Sequence, residues 1–390
     1  MTDDVTDQLR GTYALHPDGT VLPLDKLTHL SPDQTAAARR LRDLLEHYTA
    51  GAAGNDQERR TAAYERMVLE ISFTFLNRLA ALRLCEERGL VAECVRRGTA
   101  SDGFQLFEKV SGGALGTRYE AYRVFIWCLF DELALDLGVL FDRLTPQSSV
   151  FPTERCMEAV LAELNKPELT SLWAEDETIG WIYQYFNPPE ERKAMREASQ
   201  APRNSRELAV RNQFFTPRYV VEFLTDNSLG RIWSEMRKGD TALQEECRYL
   251  VKRPKEVYLA PGETGPPEQE DGTDLSQEDL LRNPVFITHR PKKDPRDLRV
   301  LDPACGSGHF LLYAFDLLEH MYEEAWQDAD SPKSEASGHA LREDFETLED
   351  LRRALPKLII EYNLHGIDID YRAVQIAALA LWLRAQKGWA

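Results

Sequence analysis

The sequence predicts an α/β protein in two parts. Residues 1–190 form an all-helical domain, and residues 191–390 open a doubly wound domain in which parallel strands alternate with helices. Three observations carry this. Apolar residues recur at helical spacing through the first part, with no strand-like alternation. The stretch Val300-Leu301-Asp302-Pro303-Ala304-Cys305-Gly306-Ser307-Gly308-His309-Phe310 reads as a strand, a tight small-residue turn and a helix start. A second strand lies within Leu364-His365-Gly366-Ile367-Asp368-Ile369-Asp370, with a further helix behind it.

Each element has a local cause. Ser31-Pro32 is a helix cap with proline at the first helical position, and Leu41, Leu44 and Leu45 follow. Residues 58–88 place Ile71, Phe75, Leu79 and Leu82 on one face and stop at Gly89. A third helix runs through Tyr122, Phe125, Leu129, Leu133 and Leu137. The aromatic stretch 173–186 reads as core, and Asn187-Pro188-Pro189-Glu190 as a loop and helix start. Residues 261–280 carry seven acidic and no basic side chains with three prolines and three glycines, which predicts a mobile loop. Residues 326–350 are equally polar and predict a second one, with helix recovering from Ala340 to Leu355. Val300 and Leu301 are the expected buried end of the first strand. The helix from Phe310 presents Ala314, Leu317, Leu318 and Met321 to the sheet.

Composition narrows the class. With 390 residues, 43% of them hydrophobic, the chain can bury a large core. No apolar run reaches the roughly 18 residues of a membrane span, and Met1-Thr2-Asp3-Asp4 is no signal peptide, so a cytoplasmic protein is expected. The six cysteines are dispersed, with no zinc or disulfide spacing. A net charge of −18 argues against a surface made broadly for polyanions, though not against a local site. Residues 192–218 carry seven basic side chains against Glu197 and Glu207; this is either such a site or a solvated helix face.

The turn composition separates ligands. Gly306 and Gly308 let backbone approach a ligand, and a helix amino-terminus offers free N–H groups. No lysine follows Gly308, which disfavours ATP. Asp302 would repel a phosphate yet suits the sulfonium and amino group of S-adenosyl-L-methionine. Asp368 stands where a carboxylate would accept ribose hydroxyls. It lies 66 residues after Asp302, not the roughly 20 of a compact dinucleotide unit, with the polar segment 326–350 between. Spacing alone is equally compatible with loop glycines and a cap aspartate.

These residues carry a resemblance. Asp302-Pro303-Ala304-Cys305-Gly306-Ser307-Gly308 resembles the cofactor motif of adenine-specific, amino-methylating DNA methyltransferases. Phe214-Phe215-Thr216-Pro217-Arg218-Tyr219-Val220-Val221 is similar to their upstream cofactor-contact motif, and Gly366-Ile367-Asp368-Ile369-Asp370 to their ribose-binding motif. Within that class the chain resembles the PglX-type enzymes of BREX phage-defence systems. Phe75-Leu76-Asn77-Arg78-Leu79-Ala80-Ala81-Leu82-Arg83, Gly180-Trp181-Ile182-Tyr183-Gln184-Tyr185-Phe186 and Asn227-Ser228-Leu229-Gly230 are also similar.

The resemblance implies a Rossmann-like domain that binds S-adenosyl-L-methionine through Phe215, Thr216, Pro217, Asp302, Pro303, Ala304, Cys305, Gly306 and Gly308. Asp368 would take the ribose, with Ile369 and Asp370 near the adenine. Thr216-Pro217 and Asp370 also fit plain helix caps. The implied partners are double-stranded DNA and defence-system proteins, without membrane. The family's catalytic Asn/Asp-Pro-Pro-aromatic tetrapeptide, which engages the flipped base, does not follow Asp370. Asn187-Pro188-Pro189-Glu190 is no substitute, lacking the aromatic residue. The expectation is therefore the front part of a longer enzyme or one half of a split one. Two alternatives are a non-catalytic cofactor-binding subunit and a bifunctional restriction-modification enzyme. The latter needs clustered carboxylates and a lysine on a mixed sheet, which 31–143 does not offer.

Overall fold

The computed structural model describes residues 1–52, 54–174, 178, 180, 189–203, 205–212, 216–266 and 283–387. They cluster into two compact units, one of residues 1–214 with 369–383, the other of residues 215–368 with 384–390.

The first unit is helical among its described residues apart from an isolated Leu15–Val21 bridge. Helix α1 spans Thr2–Gly11 and α2 spans Pro32–Gly51, the latter opened by a reciprocal Ser31/Gln34 capping box with proline at its first position. Helix α3 (Asp56–Glu87) starts at an Asn55/Glu58 box and ends before Gly89, whose φ of 70° is costly for any other residue. Helices α4 (Asp102–Ser111), α5 (Arg118–Phe141) and α6 (Glu154–Leu164) complete the core around Phe73, Phe104, Tyr122 and Phe130. Buried Arg78 donates to the carbonyls of Leu140 and Asp142 and to Ser148 Oγ, closing the end of α5, and burial lowers its pKa to about 10.

Of the aromatic stretch, Trp173 is buried and donates its indole N–H to Leu164 O; 181–186 lies outside the described residues, as do Asn187 and Pro188. Pro189 begins α7 (Pro189–Ala198), which is followed by α8 (Ser205–Asn212). The basic run 192–218 is largely spent on its own architecture. Arg211 donates to Ser199 O and Gln200 O, Arg196 to Arg211 O, and Arg203, Lys193 and Arg218 pair with Glu207, Glu197 and Glu222.

The second unit opens with α9 (Arg218–Thr225), a π-helical turn over Asp226–Gly230, α10 (Arg231–Met236) and α11 (Leu243–Glu246). Strands β1 (Glu256–Tyr258) and β2 (Val285–Ile287) pair in parallel. Of the acidic segment 261–280, residues 267–280 lie outside the described residues. Strand β3 (Val300–Asp302) pairs in parallel with β4 (Leu364–Gly366), in the register Val300–Leu364, Leu301–His365 and Asp302–Gly366. Between them run α12 (His309–Gln327), α13 (Leu341–Asp344) and α14 (Leu348–Leu358), a strand–helix–strand crossover.

Two expectations change here. Leu301 is 57% exposed rather than buried, because α12 covers one face of the strand pair and Leu301 points to the other. The polar segment 326–350 is not an open loop. Its first residues finish α12, and Ser334 Oγ and the Glu335 N–H both donate to Asp297. Arg296, 3% exposed, joins it to the strand entry by binding Asp294, Asp344 and His339 O. Polarity there reflects a buried ion network, which composition alone does not separate from solvation.

The last helix, α15 (Tyr371–Lys387), contributes Ala373, Ile376, Leu379 and Leu383 to the core of the helical unit. No described helix is long and apolar enough to cross a membrane.

Candidate cofactor site

The turn between β3 and α12 is held from the β4 side. Ile367 N–H donates to Asp302 O (2.9 Å) and Cys305 N–H to Ile367 O (3.0 Å), extending the strand pairing beyond its last register pair. Inside the turn, Gly308 N–H donates to Cys305 O. Gly306 and Gly308 have φ of 53° and 87°, the left-handed region where glycine carries no Cβ penalty. Gly308 is the N-cap of α12 and supplies no side-chain acceptor, so the first N–H groups of a 19-residue helix point into the turn without a side-chain cap. A Cβ on Gly306 would meet nothing within 4 Å, so space lies over the turn. A Cβ on Gly366 would lie 2.8 Å from Leu311 Cδ1, so that glycine is required for α12 to close on β4.

Two carboxylates face this turn. Asp302 Oδ1 accepts the Ala304 N–H at 3.1 Å, while its Oδ2 is buried with no hydrogen-bond partner among the described residues. Asp368 Oδ2 accepts the Gly306 N–H at 2.9 Å. Burial raises the Asp302 pKa above the usual carboxylate value, and the charge of Asp368 raises it further. Burial likewise pushes the Cys305 thiol up to about 11, so it is a packed, protonated side chain rather than a nucleophile. The turn thus concentrates negative charge with one carboxylate oxygen unanswered, beside a helix amino-terminus. A ligand with both a cation and hydrogen-bond acceptors matches that pairing.

The structure brings together Asp302, Pro303, Ala304, Cys305, Gly306, Gly308 and Asp368, with Pro303 and Ala304 exposed on the turn. Phe215 lies outside the described residues. Thr216 is half-buried, and Pro217 is the N-cap of α9 without a side-chain cap bond. Ile369 is 58% exposed. Asp370 accepts the backbone N–H of Arg372 and pairs with its guanidinium at 2.7 Å, so it serves the start of α15.

Sequence reasoning did not find Asp226, which is fully buried. It accepts the Tyr313 hydroxyl at 2.7 Å and the Tyr249 N–H at 2.8 Å, binding the π-turn after α9 to α12. Its signal was the position of an acid beside Asn227-Ser228-Leu229-Gly230; nothing local marks the residue as buried.

Residues 290–388, which hold β3, the glycine turn, α12 and β4, match the family described as MmeI, DNA-methyltransferase domain. Over 84% of its length the chain is 25% identical to the adenine-specific methyltransferase BrxX of Escherichia coli O9:H4 (strain HS), covering 25% of that protein. It is 30% identical to the adenine-specific methyltransferase PglX of Lacticaseibacillus casei (strain Zhang) over 54% of this chain and 14% of that one. It is 39% identical over 87 residues, 22% of this chain and 6% of the other, to a putative type II restriction enzyme and methyltransferase of Methanocaldococcus jannaschii. The chain therefore spans a quarter or less of the length of these relatives. It is similar to the adenine-specific methyltransferases BrxX and PglX, and its residues 290–388 carry the likeness to a DNA-methyltransferase domain.

Proposed function

We propose that this chain holds S-adenosyl-L-methionine for an adenine-specific DNA methyltransferase of a BREX-like or restriction-modification defence system. On this reading residues 1–190 are a helical domain. Residues 191–390 are the start of a Rossmann-like methyltransferase domain, in a protein that works in the cytoplasm with double-stranded DNA and defence-system partners. The observation that carries it is the buried Asp302 Oδ2, without a hydrogen-bond partner among the described residues, at a glycine turn shared with Asp368.

When bound, the cofactor supplies an electrophilic methyl group on a sulfonium. Asp302 would face its cationic methionine part, with Phe215, Thr216 and Pro217 helping to enclose it. Pro303, Ala304 and Cys305 line the turn, while Gly306 and Gly308 keep side chains out of the ligand's space. Asp368 would take the ribose hydroxyls, with Ile369 and Asp370 toward the adenine ring. The 390 residues hold no Asn-Pro-Pro-aromatic tetrapeptide, so the groups that would hold the target amine are not assigned to this chain.

Calorimetric titration with S-adenosyl-L-methionine tests the reading. Binding that weakens at least about tenfold in Asp368→Ala, the loss of one hydrogen bond to a charged group, is expected. No binding, or binding indifferent to that change, refutes it.

A further inference from the structure

The motif Asn227-Ser228-Leu229-Gly230 is not used by the cofactor reading. It forms the π-turn after α9, and its side chains clamp a distant loop. The Asn227 amide donates to Phe223 O and Tyr249 O, each at 2.8 Å, and its Oδ1 accepts the Val251 N–H at 2.8 Å. Next to it, Asp226 accepts the Tyr249 N–H. A Cβ on Gly230 would lie 3.0 Å from Cys247 Sγ, so the glycine lets the loop seat. Further along, the Arg253 N–H donates to Glu256 and Lys255 O accepts the Val285 N–H. The loop entering β1 is thus fixed at several points. Through the Asp226–Tyr313 bond it is also tied to the first turns of α12, about 6 Å along the axis from the glycine turn at 1.5 Å per residue.

This fastened loop carries Arg248, Lys252, Arg253 and Lys255, all exposed, with no acid between 248 and 255. None has a carboxylate partner among the described residues. The Arg248 guanidinium lies over the Tyr249 ring, and Lys252 Nζ donates only to Gln244 O. Among the described residues the nearby acids include Glu245 and Glu246, exposed just upstream, the buried Asp226, which is taken by Tyr249 and Tyr313, and Glu256, which is taken by Arg231. The contrast with 192–218 is informative, since the cations there serve their own helices. Four exposed cations, none with a carboxylate partner among the described residues, repel one another on this fastened loop; a polyanion is what they fit.

Resting on the reading that the protein acts on DNA, we propose that residues 248–255 contact the phosphate backbone of duplex DNA and hold it beside the glycine turn. Neutralised phosphates release counterions, so affinity falls with salt in proportion to the contacts made, with a log–log slope of about 0.9 per contact.

The experiment is fluorescence anisotropy of the chain with a labelled random-sequence duplex across salt concentrations. Lys252→Gln, Arg253→Gln and Lys255→Gln combined should weaken binding at least about tenfold and flatten the salt slope by about 2 to 3. Asn227→Ala, which frees the loop but keeps its charge, should weaken binding with less change of slope. A charge-matched control of Lys109→Gln, Lys166→Gln and Lys333→Gln, all exposed elsewhere, should leave binding unchanged. The proposal is overturned if the wild-type chain does not bind duplex DNA, if the loop variant binds as tightly, or if the control loses as much. Calorimetry with S-adenosyl-L-methionine on the same variants separates the two readings. A loop variant that binds cofactor normally but not DNA leaves the cofactor site standing, and a chain that binds DNA through the loop without binding cofactor refutes only the site.

Discussion

Replacing Asp302 by asparagine separates what the carboxylate costs the fold from what it gives the ligand. Asp302 Oδ1 accepts the Ala304 N–H, a bond that an amide oxygen retains. Its Oδ2 is buried without a partner among the described residues, and the neighbouring Asp368 charge is unfavourable. Asp302→Asn therefore removes a desolvated, repelled charge and should leave the melting temperature unchanged or higher. The same change deletes the group that answers a bound cation. A hydrogen bond to a charged group contributes about 1.5–3 kcal/mol, so the dissociation constant for S-adenosyl-L-methionine should rise roughly tenfold to 150-fold at 1.36 kcal/mol per decade.

The pH dependence has a definite sign. Because burial raises the Asp302 pKa, the folded chain keeps this proton to higher pH than the unfolded chain. The group's ionisation therefore subtracts stability as pH rises from 3.8, the usual value, through the folded pKa. A cationic ligand favours the ionised form, so affinity should tighten through the same window, with proton release. In Asp302→Asn that dependence should vanish. Calorimetry in buffers of different ionisation enthalpy measures both quantities. An unchanged dissociation constant, or a variant that melts several degrees lower with normal affinity, would falsify the argument.

Two further outcomes follow from packing. Gly366→Ala puts a methyl group 2.8 Å from Leu311 Cδ1 and 3.2 Å from Cys305 Sγ; it should cost about 1–3 kcal/mol, read as a lower urea midpoint, and an unaltered midpoint would mean that α12 does not close on β4 as described. Arg296→Ala strands Asp294, which is fully buried; about 3–5 kcal/mol should be lost, with faster hydrogen exchange concentrated in residues 334–344, and uniform exchange would sink the idea that this arginine fastens the segment.

Much of this architecture is legible from local chemistry. Ser31-Pro32, the apolar rows of α3 and α12 and the paired glycines at 306 and 308 each act within a few residues, and so they read correctly. The rest depends on partners far along the chain. Leu301 looks like a core residue because its exposure depends on which strand face α12 covers. Segment 326–350 looks solvated because the partners of Asp344 and His339 stand more than forty residues away, at Arg296. The cations of 192–218 look available because their acceptors include carbonyls, which composition does not count. The site itself divides the same way. Asp302 and Asp368 are visible by motif, but the burial of one oxygen, and the Asp226–Tyr313 tie behind the turn, appear only in three dimensions.

The membership of residues 371–383 of α15 in the helical unit bears on how the protein is made. Ala373, Ile376, Leu379 and Leu383 sit in a core otherwise built from residues 73–173. Emerging from the ribosome, the first unit lacks four of its interior side chains until the whole of β3, α12 and β4 has been synthesised. Its final consolidation is therefore a late event in synthesis, and a fragment ended at residue 214 lacks the side chains that complete this core, leaving their apolar neighbours for chaperones to find.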